Sequence, residues 1–101
     1  MDLVILDLEG KVSYTDYFVL VTGSSDRHAQ AIADRIELKL KKEYQRMAIS
    51  IEGYQEAHWV LMDYGDVVVH IFLSEEREFY DLETMWKDVP RISEKQLLQS
   101  S

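Results

Sequence analysis

Three observations predict an α+β (α/β layered) domain, a mixed five-stranded sheet with helices packed on it. Five short apolar or alternating runs read as strands. Ala29, Ile32, Ala33, Ile36 and Leu40 recur at helical spacing and give one apolar stripe. The segment Asp63-Tyr64-Gly65-Asp66 separates two apolar runs, and Gly65 can take the positive φ of a tight hairpin. The 101 residues suffice for one small domain, and 47% hydrophobic content supplies a core without disulfides. Residues 1–92 are read as that domain, and the polar residues 93–101 as a disordered tail.

Residues 3–8 read as the first strand, with Glu9-Gly10-Lys11 as a turn. Residues 17–22 form a continuous apolar run, which suits a strand in the middle of a sheet. Gly23-Ser24-Ser25-Asp26 opens a helix over about 25–43, where a serine caps the free N–H groups and Asp26 suits the positive dipole end. Lys39, Lys41 and Lys42 lie near the opposite, negative end. Residues 46–51 read as a third strand with Met47, Ile49 and Ile51 alternating.

The hairpin strands are expected over 57–62 and 67–72. With Tyr64-Gly65 as a two-residue turn, Trp59 lies opposite His70 and Leu61 opposite Val68. The other face then carries His58, Val60, Met62, Val67, Val69 and Ile71, nearly all apolar. The Trp59 face reads as mixed and available for meeting a partner. Ser74 is expected to cap a short helix with Phe79, Leu82 and Met85 on its inner side. Pro90 marks a stop, and residues 87–91 leave the domain.

The formal charge is −8 and its distribution is uneven. Residues 27–46 hold six basic and three acidic side chains, and residues 52–88 hold ten acidic and two basic. Most of the surface would repel phosphate, so a basic protein partner suits the chain better than bare nucleic acid. No apolar run approaches ~20 residues, so nothing reads as a membrane span. The N-terminus lacks a signal-peptide pattern, and there is no cysteine. Both fit a bacterial cytoplasm, and equally a mitochondrial or plastid interior.

The order of motifs carries more. Thr15-Asp16-Tyr17-Phe18-Val19-Leu20-Val21-Thr22-Gly23-Ser24-Ser25 is followed by His28 and Ala31-Ile32-Ala33-Asp34. Then come Glu52-Gly53, Trp59-Val60-Leu61-Met62-Asp63, Gly65-Asp66-Val67-Val68-Val69-His70 and Tyr80-Asp81-Leu82-Glu83-Thr84-Met85-Trp86. This series resembles the ribosomal silencing factor (Iojap-like) family over nearly the whole chain. The resemblance implies a nucleotidyltransferase-like topology, no catalysis and no cofactor. It implies binding to the large ribosomal subunit at its protein fourteen, steric exclusion of the small subunit and lowered translation when nutrients are scarce. It implies contact roles for Trp59, Asp63, Gly65, Asp66 and His70, with Tyr80 and Trp86 as further contacts. Relatives carry a helix before the first strand. Met1 stands two residues from that strand, so the helix is expected to be missing, and the uncovered surface to favour a homodimer off the ribosome.

The residues leave two other readings. A nucleotidyl-transferring enzyme needs Gly-Ser at a helix start and two converging carboxylates. Gly23-Ser24-Ser25 supplies the first. Asp7 and Glu9 precede it, Asp63 and Asp66 flank a turn, and Asp81 and Glu83 point apart on a helix, so the second is lacking. Direct ribosomal RNA contact through Arg27, Arg35, Lys39, Lys41, Lys42 and Arg46 is expected to be minor beside the acidic surface. His28, His58 and His70 lack metal-ligand spacing and read as structural or surface histidines.

Overall fold

A computed structural model describes residues 3–92. The sheet has six strands, not five: β1 (Val4–Asp7), β2 (Tyr17–Gly23), β3 (Ser50–Glu52), β4 (Trp59–Asp63), β5 (Val67–Leu73) and β6 (Arg91–Ile92). Their order is β3-β4-β5-β2-β1-β6. It is mixed, as expected: β2 and β5 run parallel, and the other neighbours are antiparallel. The sixth strand corrects the expectation that the chain leaves the domain at Pro90. The Pro90 carbonyl accepts the Asp7 N–H at 2.8 Å, and Ile92 pairs with Ile5. Proline is tolerated there because an edge position needs no N–H. A two-residue strand has no periodicity to betray it.

Helix α1 (Asp26–Tyr44) begins where the sequence places it. The Ser25 hydroxyl accepts the His28 N–H, and Gln45 closes the other end in the left-handed region. Ala29, Ile32 and Ala33 pack on Val21, Val60, Met62, Val69 and Ile71, with Ile36 and Leu40 extending the contact. This is the apolar hairpin face predicted from alternation. His58 is the exception, because β4 starts at Trp59, two residues later than expected, and leaves it exposed.

The hairpin turns one residue later than expected. Tyr64 N–H donates to the Val67 carbonyl at 2.9 Å, so the two-residue turn is Gly65-Asp66. Trp59 therefore lies opposite Phe72, and Leu61 opposite His70. Gly65 holds φ of 89°, the positive value a type II′ turn needs at its first central position. Tyr64 is excluded from the turn because its ring is buried in the α1 core. The pairing moves by two residues, so every side chain keeps its predicted face.

The Trp59 face is a second core rather than a mixed surface. Leu6, Leu8, Phe18, Leu20, Val68, Phe72 and Val89 are buried there, with Trp59, Leu61, Leu82 and Trp86 packed against them. The third strand is shorter than read. Met47 and Ile49 precede it and are 71% and 72% exposed, so only Ile51 of the alternating three packs inward.

A close approach fixes the loop before β4. Gly53 has φ of 77°, and a Cβ there would run into the Trp59 carbonyl oxygen. Gly53→Ala should cost at least ~2 kcal/mol, from left-handed strain plus that clash. Chemical denaturation checks this, and a midpoint equal to wild type would contradict it.

Candidate functional site

The second core ends in an aromatic cluster. The Trp59 indole N–H donates to His70 Nδ1 at 3.1 Å. An indole N–H only donates, so this Nδ1 is bare and the neutral ring carries its proton on Nε2. His70 is 5% exposed, and its Nε2 meets no hydrogen-bond partner among the described residues. Phe18 lies edge-on to His70 at 4.6 Å, and Trp86 edge-on to Phe18 at 6.3 Å. Tyr80 covers the outer side of Trp59 at 4.7 Å.

Burial in this apolar setting lowers the His70 pKa to about 4. The folded state holds the ring neutral, so between that value and the ordinary 6.5 the unfolded chain binds the extra proton. Stability present above pH 6.5 is therefore lost as pH falls toward 4, by up to about 3 kcal/mol. Denaturation at pH 7 and pH 5 should differ by about 2 kcal/mol, and His70→Phe should flatten that difference. Equal slopes in both proteins would remove His70 as the cause.

Helix α2 (Ser74–Tyr80) and helix α3 (Leu82–Met85) form an elbow over this cluster. Ser74 is not the cap: Leu73 holds that position, without a side-chain bond. The continuous helix expected here breaks at Asp81, which adopts φ of 45°. Its N–H returns to the Arg77 carbonyl, and its carboxylate accepts from Thr84 N–H at 3.4 Å to start α3. Arg77 braces the break. It donates to Glu83 at 2.9 Å and to Thr22 Oγ1 at 2.6 Å, and its guanidinium lies 5.8 Å from the Phe72 ring centre.

The break turns two residues outward that helical spacing had placed inward. Phe79 is 81% exposed and Met85 66% exposed, while Leu82 alone joins the core. Phe79 lies edge-on to Tyr80 at 5.0 Å, Met85 is exposed on α3, and Glu75, Glu78 and Asp81 are exposed on the same elbow. Exposed apolar groups with acidic neighbours on one element suit a protein interface. Only Tyr80 of this surface belongs to the residues singled out from sequence. Phe79 and Met85 were missed because nothing before Asp81 signals a change of helix direction.

The singled-out residues fall into two groups. Trp59, His70, Tyr80 and Trp86 converge in the aromatic cluster. Asp63, Gly65 and Asp66 sit at the other end of β4, ~13 Å away at strand rise. There Asp63 accepts the Gly65 N–H at 2.8 Å, and Asp66 pairs with Arg46, whose guanidinium also donates to the Tyr64 carbonyl at 2.8 Å. The Arg46 hydrogen bond holds the Asp66 carboxyl below its ordinary range and raises the guanidinium correspondingly.

The carboxylates are occupied locally. Asp7 accepts the Glu9 N–H, Glu9 accepts the Tyr17 hydroxyl, and Glu83 holds Arg77. Among the described residues no His, Asp and Glu converge as a metal-ligand group. Ser24 offers its N–H and hydroxyl to His28 Nδ1, and Ser25 caps α1. Among the described residues no helix is long and apolar enough to cross a membrane.

The family model "Ribosomal silencing factor during starvation" matches residues 1–101. The ribosomal silencing factor RsfS of Bacillus subtilis is 44% identical over 90 residues, covering 88% of this chain and 75% of that protein. RsfS of Halalkalibacterium halodurans is 43% identical over 93 residues, covering 89% and 76%. A crystal structure of a Chromobacterium violaceum protein superimposes with a TM-score of 0.81 at 37% identity, over 85% of this chain and 71% of that one. Sequence and fold converge: the chain belongs to the ribosomal silencing factor RsfS (Iojap) family, whose members are regulators of translation rather than enzymes.

Proposed function

We propose that this chain binds the large ribosomal subunit at its protein fourteen and blocks small-subunit joining by occupying the ground that subunit must cover. Translation then falls under nutrient limitation. The observation that carries this reading is the elbow, where Phe79, Tyr80 and Met85 stand exposed among Glu75, Glu78 and Asp81. Apolar and aromatic anchors supply affinity once desolvated, and their acidic neighbours select a basic partner. Trp59, His70 and Trp86 support Tyr80 and the elbow from beneath. Asp63, Gly65 and Asp66 extend the contact only to a partner that reaches the far end of β4. The setting is a bacterial cytoplasm, where large subunits are available. A homodimer off the ribosome would bury the same apolar residues.

Capture of isolated large subunits, with and without protein fourteen, tests the reading. Capture of the complete particle alone is expected. Equal capture of both particles would move the site elsewhere.

The alternative, a nucleotide-binding enzyme on a nucleotidyltransferase-like topology, has less behind it. Its candidate carboxylates are committed to turns, caps and ion pairs. Calorimetry with ATP and magnesium should give no heat, and a saturable signal would reopen that reading.

A further inference from the structure

The solvent side of α1 divides into two stripes of opposite charge. At ~100° per residue, Arg27, Arg35, Lys39 and Lys42 fall within a sector of about 120°, together with His28, Ala31 and Leu38. No acidic residue falls in that sector. Asp26, Asp34 and Glu37 lie on the neighbouring flank with Lys41, and Asp34 is turned to the Tyr54 hydroxyl at 2.9 Å. All four cations are exposed. Among the described residues Arg27, Arg35 and Lys42 make no ion pair, and Lys39 makes only a long, solvated one to Glu43 at 3.9 Å. From Arg27 to Lys42 the stripe runs ~22 Å along the helix. It lies across the sheet from α3, because α1 packs on one core and Leu82 of α3 on the other. The two surfaces are thus separated by more than the ~8–10 Å over which salt screens exposed charges. A net charge of −8 for the whole chain therefore does not describe this helix.

We infer that Arg27, Arg35, Lys39 and Lys42 form a phosphate-contacting surface for RNA. Cations on one face of a helix, spaced at about two turns and one turn, suit a polyphosphate backbone. The stripe has no exposed aromatic anchor, as a protein interface would need. The apolar side of α1 is spent on the sheet and Leu38 is the one large apolar side chain in the sector, too little apolar area for the helix to insert into a membrane. Two residues of the basic segment stand outside it: Lys41 lies on the acidic flank, and Arg46 is pinned to Asp66 and the Tyr64 carbonyl. The choice of RNA over other polyanions rests on the proposed large-subunit partner. The elbow would meet protein, and α1 would meet phosphate beside it.

The test is fluorescence anisotropy with a labelled 16-base-pair RNA hairpin, at 50 and 200 mM salt, beside capture of large subunits. Wild type should bind the hairpin with log K falling against log salt at a slope of about −3. Replacing all four cations by glutamine should weaken hairpin binding at least ~10-fold, flatten the slope and lower large-subunit affinity about 10-fold. Lys41→Gln should change each by less than about twofold. If the fourfold variant fails to fold, Arg35→Gln decides, with an expected loss of about threefold. A hairpin that wild type ignores, or that variant and wild type bind alike, overturns the inference. Hairpin binding that depends on the four cations, alongside absent large-subunit capture, overturns the proposed function instead.

Discussion

Replacing Phe79 and Met85 together by aspartate should cut affinity for the large subunit at least ~100-fold, about 2.7 kcal/mol, with little change in thermal midpoint. The two side chains are among the most exposed apolar groups of the described residues and belong to neither core. Their removal takes nothing from folding, because they bury little surface in the free chain. It takes most from binding, because each adds a charge to the desolvated centre and leaves it unpaired against a partner. Equilibrium binding to purified large subunits checks this, with a thermal melt of each variant as the folding control. Affinity within threefold of wild type would move the site off the elbow.

Trp59→Ala should have the opposite profile. Its ring packs under Tyr80 and beside Phe72, and its N–H satisfies His70. Truncation should cost about 3 kcal/mol of stability, at the low end for a tryptophan because the ring is half-buried. For a domain of this size that is a fall of roughly 10–20 °C in thermal midpoint. Binding should weaken as a consequence, because Tyr80 loses its support. Trp59→Phe keeps an aromatic ring under Tyr80 but loses the His70 Nδ1 bond and part of the indole packing, so it should cost less than Trp59→Ala, about 1–2 kcal/mol. A Trp59→Ala protein as stable as wild type would show that the indole is surface rather than support.

The contrast between these variants marks where the sequence was legible. The α1 stripe and its serine cap read directly, because helical spacing and capping are local. The faces of β4 and β5 also read directly, since alternation survives a shift of the turn by one residue. The turn itself did not, because Tyr64 looks like a turn residue until the core that buries its ring is known. Strand β6 pairs through two residues and leaves no pattern. The elbow was hidden for a different reason. Phe79, Leu82 and Met85 have the spacing of one inner face, and only the left-handed Asp81 turns two of them outward. Trp59 and His70 were correctly grouped on one face, but alternation cannot distinguish a second core from a docking surface. The expectation for residues 93–101 lies outside the described residues.

On the proposed function, the exposed elbow holds the large subunit apart from the small one. Light scattering during mixing of purified subunits reads that separation itself. Wild type preincubated with large subunits should suppress the rise in scattering, and the folded Phe79→Asp, Met85→Asp protein should leave it intact. A full rise with both proteins, or equal suppression by both, would contradict the account.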